Sequence, residues 1–565
     1  MRQFRVGLSR SLHILERLGL WTGAAGNEAE KVEEPLRAQL FNAEQMEVHG
    51  RALARTHRLR THPRNEHLLN RLAENERLLG NAYALLTQQT LDGMRITPAG
   101  EWLLDNFYLL EEQIHTARRH LPRGYCRQLP SLRDGPSAEL PRVYDISLQA
   151  IAHGDGRIEG ETLSRFIDSY QSVTPLKLGE LWAIPIMLRL ALIDNLRRMA
   201  VRVMRDGTDR KLAKEWAEKL NITAVENPKN VVLVIADLAR SSPPLSGAFV
   251  SELARGLQGR GGVLFMPSVW LEQWVTAEGH RIDELVHLES QQQAADQVSI
   301  SNSIGSLRFL TKTDWRDFVE STSEVERILS QDPSHTYASM DFGTRDAYRH
   351  VVERIARLAK ISEGDVASTV LKLTQAAAND DPRGYRAHVG YYLVDEGISQ
   401  TRVALAASFH GRPVRIAPKR IPLLAYMLPI ASTAALFTWG LMNTGPPLHG
   451  WLSWCIAALG MLVFSELGVA LVNWGATLLV APRPLPRMDF SKAIPLDSST
   501  LVAVPSMLSS LADLENLAKG LEVRFLANRD QQLYFALLTD FMDADQASLP
   551  TDAALLERAA DVPPA

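Results

Sequence analysis

Two apolar runs decide the fold of this chain: IPLLAYMLPIASTAALFTWGLM at residues 421–442 and WLSWCIAALGMLVFSELGVALVNWGATLLVA at residues 451–481. The first run carries no charge over about 22 residues, which span roughly 33 Å as a helix, enough for a bilayer core. Pro429 lies inside it and predicts a kink that membrane helices tolerate. The two runs therefore predict two transmembrane helices.

The charges around these runs predict their orientation. The turn between them, NTGPPLHG at residues 443–450, contains no lysine or arginine. Basic residues flank both outer ends: Arg412, Arg415, Lys419, Arg420, Arg483, Arg487 and Lys492. The positive-inside rule puts both termini in the cytoplasm and the turn outside, where Trp439, Trp451 and Trp454 would form an aromatic belt. A buried hairpin in a soluble core is the alternative, but length, charge asymmetry and aromatic placement all favour the membrane.

Glu466 is an ionisable residue inside the second run. Such residues at membrane depth usually face a partner or a water-filled cavity, so Glu466 is a candidate for lining a pathway shared with further helices. The other interpretation, which we prefer, places it near the cytoplasmic interface or in a helix contact.

The composition excludes several classes of protein. The chain has 565 residues and a net charge of −4, which do not indicate nucleic acid as a general partner. Its two cysteines, Cys126 and Cys455, provide neither a disulfide framework nor a CxxC metal site. The amino terminus, MRQFRVGLSRSLHILERLGL, lacks a continuous apolar core and a cleavage site, so we expect no secretory signal.

Residues 1–415 read as a mostly helical cytoplasmic region with a possible boundary near 210–230. LGELWAIPIMLRLALIDNLRRM (178–199) is too short and too polar to span, and predicts a buried or interfacial helix. NVVLVIADL (230–238) predicts a buried strand. Four histidines, His49, His57, His62 and His67, could form a metal site, but a solvated basic face is the interpretation we prefer. Four glycines, Gly256, Gly259, Gly261 and Gly262, lack the GxGxxG spacing of a phosphate-binding loop after a strand and predict an ordinary loop. The region has no GxSxG, HExxH or Walker motif.

The pattern changes at residues 497–565. TLVAVPSML predicts a strand that ends at Pro505, SLADLENLAKGLEVRFLAN a helix, and LYFALLTDF a second strand. Asp540 and Asp543 then lie at the carboxyl end of a strand, the edge where open α/β sheets bind ligands. Carboxylates there bind the ribose or base of a nucleotide or help to place a metal-bound diphosphate. Aspartates in a solvated turn would look the same.

Several segments together resemble the amino-terminal region of the cyclic β-1,2-glucan synthases. The resemblance runs from about residue 65 to the end of the chain and is carried by RHLPRGYCRQLP (119–130), VTPLKLGELWAIPIMLRLALIDNLRR (173–198), QQAADQVSISNSIGSLRFL (292–310), DWRDFVE (314–320), YASMDFGTRDAYRHVVERIA (337–356), HVGYYLVDEG (388–397), TLVAVPSML (500–508) and LEVRFLANRDQQLYFALLTDFMDA (521–544). These proteins are very large bacterial inner-membrane enzymes with a glycosyltransferase domain between membrane helices.

The resemblance implies a mainly α chain: a helical cytoplasmic region, a two-helix transmembrane hairpin, then the opening strand–helix–strand of a GT-A-like glycosyltransferase domain. It implies UDP-glucose as the donor, Mg or Mn as the divalent cation of the complete enzyme, and membrane lipid and a growing β-glucan as partners. Asp540 and Asp543 match the first acidic stretch of the transferase domain and are the candidate nucleotide-sugar ligands. The catalytic base and metal-binding acids would lie beyond Ala565.

The chain ends after one strand–helix–strand unit, so we expect a fragment or a truncated product without transfer activity on its own. A catalytically inactive membrane scaffold or regulatory protein is the first alternative. A glycoside phosphorylase-type component is the second, and it is disfavoured because no paired carboxylates are visible.

Overall fold

The computed structural model describes residues 33–60, 67–121, 125–258, 264–409, 423–444, 450–479, 485–546 and 549–560. Within these residues the chain is mainly helical, as expected, with two small pairs of strands. It divides into two compact units on either side of the Glu326–Arg327 bond. His62, Gly259, Gly261, Gly262, most of the basic residues flanking the apolar runs (Arg412, Arg415, Lys419, Arg420 and Arg483), and both ends of the chain lie outside the described residues.

The first unit packs its helices around one very long helix, α7 (Leu178–Glu226, 49 residues). The other helices are α1 (Ala43–Thr56), α2 (His67–Leu91), α3 (Pro98–Asp105), α4 (Phe107–His120), α5 (Arg142–His153), α6 (Gly160–Gln171), α8 (Val231–Arg240), α9 (Gly247–Leu257), α10 (Phe265–Ala277), α11 (Ile282–Lys312) and α12 (Trp315–Thr322). A short antiparallel pair joins β1 (Leu59–Arg60) to β2 (Ser131–Leu132).

The amino-terminal part of α7 is buried, as predicted. Leu188, Leu192 and Leu196 are fully buried in the main core. Arg189, inside the same apolar stretch, is also buried and donates from Nε to Oε1 of Gln113 at 2.8 Å. A second apolar cluster begins at Ala213 on the same helix and extends over α8 to α10. The predicted boundary near 210–230 is not tested by this arrangement and stays a prediction.

The predicted strand at 230–238 is wrong, because residues 231–238 belong to α8 and Asn230 ends a short 3-10 turn before it. Val231, Val234 and Leu238 are buried, while Val232 and Leu233 are exposed. That spacing of three and four residues is helical. The run of β-branched residues favours strand only weakly, and packing of the apolar side of α8 against α7 overrides it.

The second unit combines helices, the apolar hairpin and a small parallel sheet. Its elements are α14 (Phe342–Ala359), α15 (Glu363–Asp380), α16 (Val389–Val394), α17 (Ile398–Phe409), α18 (Leu423–Thr444), α19 (Trp451–Leu479), β3 (Thr500–Leu508), α20 (Leu511–Ala527), β4 (Leu533–Phe541) and α21 (Asp552–Ala560). Helix α13 (Glu324–Leu329) spans the division between the units.

The two apolar runs form the helices α18 and α19, which pack against each other. The rings of Phe437 and Phe464 stack at 5.5 Å, and the Tyr426 hydroxyl donates to Oδ1 of Asn473 at 2.9 Å. By length and composition both helices are able to cross a membrane. Only 17% of the most apolar 18-residue stretch of α18, and 11% of that of α19, is buried. A core hairpin of a soluble protein would bury most of these residues, so the exposure favours lipid contact.

The predicted strand–helix–strand unit is confirmed. Strands β3 and β4 pair in parallel from Thr500↔Leu533 to Leu508↔Phe541, with α20 between them in the chain. The sequence predicted that β3 ends at Pro505, but the strand continues for three more residues. Among the described residues β3 pairs with β4 alone, and a proline is tolerated in a strand with an open edge.

Candidate functional site

The candidate site is the carboxyl edge of the β3–β4 sheet. Asp540 lies one residue before the end of β4, opposite Met507, and Asp543 follows the strand by two residues. Both side chains are exposed. The Asp540 carboxylate accepts a hydrogen bond from the amide of Phe541 at 2.9 Å. Parallel pairing thus brings the end of β3 and these two aspartates to one edge, which is where such sheets bind ligands.

A second group of residues lies at the same edge and was not predicted. The hydroxyl of Ser510 caps α20 by accepting from the Asp513 amide at 3.2 Å, and it donates to the Asp513 carboxylate at 2.8 Å. The Ser509 hydroxyl binds the same carboxylate. The hydrogen bonds from Ser509 and Ser510 lower the pKa of Asp513. The available signal was the spacing Ser-x-x-Asp before an apolar run, a helix-capping pattern.

The charge at this edge limits the ligands it fits. Asp513, Asp540 and Asp543 are carboxylates on or beside the ends of neighbouring elements. Carboxylates accept hydrogen bonds from hydroxyl groups but repel a bare phosphate. The edge therefore fits the hydroxyls of a ribose or a sugar, or a diphosphate whose charge a cation neutralises.

A metal ion would need ligands beyond these aspartates. Across the part of the chain that the structure describes, no group of three or more His, Cys, Asp or Glu side chains is arranged to hold a metal ion. Asp540 and Asp543 supply carboxylate oxygens, the donor type that Mg²⁺ prefers. By themselves they do not fit a complete divalent-cation site.

Glu466 is exposed in the middle of α19. Gly468 is buried and lies against Ile430 of α18, where an added Cβ would be 3.0 Å from the backbone oxygen. Two residues correspond to about 200° around a helix, so Glu466 faces away from α18. No hydrogen bond or ion pair joins Glu466 to another described residue. Neither the pathway nor the interface interpretation of Glu466 is tested by this placement.

The histidines of the amino-terminal region do not all lie on a solvated face, so that prediction is wrong for His57. The His57 side chain is only 7% exposed, with Nδ1 2.8 Å from the Tyr170 hydroxyl and Nε2 3.1 Å from the Asp145 carboxylate. His67 is half exposed, as predicted. The contacts of His57 join α5 and α6 to the end of α1, which gives it a structural role. Sequence spacing did not reveal it, because its partners are 88 and 113 residues away.

A scan against protein families finds no family that matches this chain. Among curated proteins, the cyclic β-(1,2)-glucan synthase NdvB of Rhizobium meliloti is 30% identical over 495 residues, which are 86% of this chain. The chain spans only 17% of the length of that relative. The match confirms the resemblance to the cyclic β-1,2-glucan synthases that the sequence segments indicated.

Proposed function

We propose that this chain is the amino-terminal and membrane portion of a glucosyltransferase that uses UDP-glucose to build a cyclic β-1,2-glucan. The observation that carries the proposal is the 30% identity over 86% of the chain to a protein named as a glucan synthase. The strand–helix–strand unit that follows the apolar hairpin supports it, since a GT-A-like domain begins with such a unit.

The carboxyl edge of the sheet is proposed to bind the nucleotide part of the donor. In this assignment Asp540 and Asp543 accept hydrogen bonds from the hydroxyls of the ribose. The α20 amino terminus, with Ser509 and Ser510, supplies hydroxyl groups beside them. A divalent cation, when bound, would neutralise the leaving diphosphate, with its remaining ligands and the catalytic base coming from outside these residues.

The proposed location is the bacterial inner membrane, with α18 and α19 spanning it and both flanking regions in the cytoplasm. Exposed apolar side chains on both helices and the charge asymmetry of the sequence support this topology. A donor made in the cytoplasm would then meet the sheet on that side.

Nucleotide binding is tested by hydrogen exchange on the purified protein, with and without UDP-glucose and Mg²⁺. We expect slower exchange in residues 500–508 and 533–546, and loss of this protection in Asp540→Asn and Asp543→Asn. Asp497→Asn is the matched control, because Asp497 precedes β3 and lies at the opposite end of the strand. Protection that is absent in the wild type would favour the inactive scaffold. Protection that survives both substitutions would move the site elsewhere.

The topology is tested by labelling single cysteines with a membrane-impermeant maleimide, in a background with Cys126→Ser and Cys455→Ser. We expect Thr444→Cys to be labelled from outside intact cells, and Arg487→Cys only after the cells are opened. Labelling of Arg487→Cys in intact cells would contradict the proposed orientation.

A further inference from the structure

The segment that follows the apolar hairpin is bound to the helical part of its own unit. The amide of Asp489 donates to the carbonyl of Ser339 at 2.8 Å, and the amide of Asp341 donates to the carbonyl of Arg487 at 2.9 Å. Met488 thereby lies opposite Met340 in an antiparallel bridge. We call residues 485–499 the exit segment.

The place where the exit segment binds is a defined structure. Asp341 caps α14 by accepting from the Thr344 amide at 2.9 Å. The hydroxyl of Thr344, a mostly buried residue, accepts from the amide of Arg487 at 3.0 Å. Met340 is 6% exposed. Three hydrogen bonds donated by backbone amides thus join the exit segment to the start of α14.

The other end of the exit segment is bound to the sheet. The amide of Ile494 donates to the Asp530 carboxylate at 2.9 Å, and the amide of Thr500 donates to the carbonyl of Gln532 at 2.9 Å. The Ser499 hydroxyl donates to the Gln532 side chain at 2.7 Å. These contacts lie at the amino ends of β3 and β4, opposite the edge that carries Asp540.

Only four residues separate the two sets of contacts, from Asp489 to Ile494. A fully extended chain spans at most about 3.5 Å per residue, so the two anchor points are held within roughly 18 Å. The sheet is therefore tied to α14 by a short connection and not by a free linker.

From these contacts we infer that residues 339–344 are a docking site for the exit segment, and that the helical residues around α14 position the sheet. The functional consequence rests on the proposed function: with its amino ends tied down, the sheet presents the Asp540 edge in a fixed orientation. The occupant of the docking site is a segment of this same chain.

A disulfide tests the docking directly. Two opposed residues without hydrogen bonds between them have Cα atoms about 4.5 Å apart, which suits a disulfide. In the background with Cys126→Ser and Cys455→Ser, we expect Met340→Cys and Met488→Cys to cross-link when isolated membranes are treated with a mild thiol oxidant. A protease site placed within residues 445–449 gives two fragments that stay covalently linked only when the bond forms. Leu358→Cys with Met488→Cys is the control, since Leu358 lies near the far end of α14, about 24 Å along the helix from Phe342.

Cross-linking of the test pair above the control supports the docking site, and equal or absent cross-linking overturns it.

A second measurement uses amide exchange of residues 485–491. Thr344→Val removes one acceptor and is expected to speed this exchange about 2- to 10-fold. Thr369→Val, whose hydroxyl bonds within its own helix, should leave it unchanged. Unchanged exchange in Thr344→Val would also contradict the docking.

An activity assay separates this inference from the proposed function. In membranes that contain this chain as part of a complete synthase, Thr344→Val is expected to lower the rate of glucose transfer from UDP-glucose while leaving UDP-glucose binding unchanged. If such membranes transfer no glucose with the wild-type sequence, the proposed function fails, but the cross-link still decides the docking. If transfer occurs and Thr344→Val matches the wild type, the positioning role fails.

Discussion

Arg142 and Glu180 form a bidentate ion pair inside the core of the first unit. The guanidinium donates through Nε and a terminal nitrogen to the two carboxylate oxygens at 2.6 Å each, and the side chains are 2% and 0% exposed. The same guanidinium also donates to the carbonyl of Pro175 at 2.9 Å. The pair joins α5 to the first turn of α7, so the longest helix begins at a fixed point.

Glu180→Ala should strongly destabilise the first unit, because it leaves a buried guanidinium without its partner. We expect a loss of about 3–5 kcal/mol. Denaturant-dependent hydrogen exchange of the α7 amides measures it in the intact protein. Glu76→Ala, which breaks the exposed pair with Arg118, is the control and should cost less than about 1 kcal/mol. Similar losses of stability in the two variants would show that the buried pair contributes no more to the free energy of unfolding than the exposed pair.

Asp206 on α7 predicts a pH dependence of stability. Burial, with the nearby carboxylate of Glu289, raises the pKa of Asp206 to about 7. Well below the ordinary aspartate pKa of 3.8, the carboxyl is protonated in both folded and unfolded chains, so it has no effect. As the pH rises toward 7, the unfolded chain ionises first and the folded state loses stability, by about 1.4 kcal/mol per pKa unit at most.

Asp206→Asn should therefore be more stable than the wild type at pH 8, and this gain should shrink toward zero as the pH falls below 3.8. Thermal unfolding at several pH values measures the difference. Asp237→Asn, at a half-exposed position, is the control and should shift nothing. A gain that is the same at every pH would contradict the assignment to this ionisation.

Gly468→Leu should separate the two helices of the apolar hairpin. A Cβ at Gly468 would lie 3.0 Å from the backbone oxygen of Ile430, so α18 would have to move. Forcing side chains into a packed contact typically costs about 1–3 kcal/mol. The temperature at which the detergent-solubilised protein loses its monodisperse peak measures the effect. Gly475→Leu is the matched control, since nothing lies within 4 Å of that Cβ position. Equal tolerance of both substitutions would contradict the packing.

Ser510→Ala should weaken the start of α20 at the candidate site. Loss of the cap removes an acceptor for the Asp513 amide and typically costs about 1 kcal/mol. Amide exchange in residues 511–514 should become faster. Ser498→Ala, just before β3, is expected to leave these amides unchanged. If exchange in α20 does not respond to Ser510→Ala, the cap contributes nothing to this edge.

Local pattern in the sequence was enough for the elements that depend on it. The apolar runs at 421–442 and 451–481 correspond to helices at Leu423–Thr444 and Trp451–Leu479. The strand–helix–strand unit, and Asp540 at the end of its second strand, also follow from alternation and turn residues. Run length and periodicity act over a few turns of chain, so no distant partner is needed to read them.

Only the tertiary structure decided which faces meet. A valine-rich run forms α8, because packing against α7 outweighs the weak preference of these residues for a strand. The tertiary structure brought the His57 side chain into contact with partners distant in sequence, and it placed Met488 opposite Met340 across the intervening hairpin. The sequence by itself determined the elements, since their patterns are local. Contacts across such separations depend on burial and hydrogen bonding that exist only once those elements are packed together.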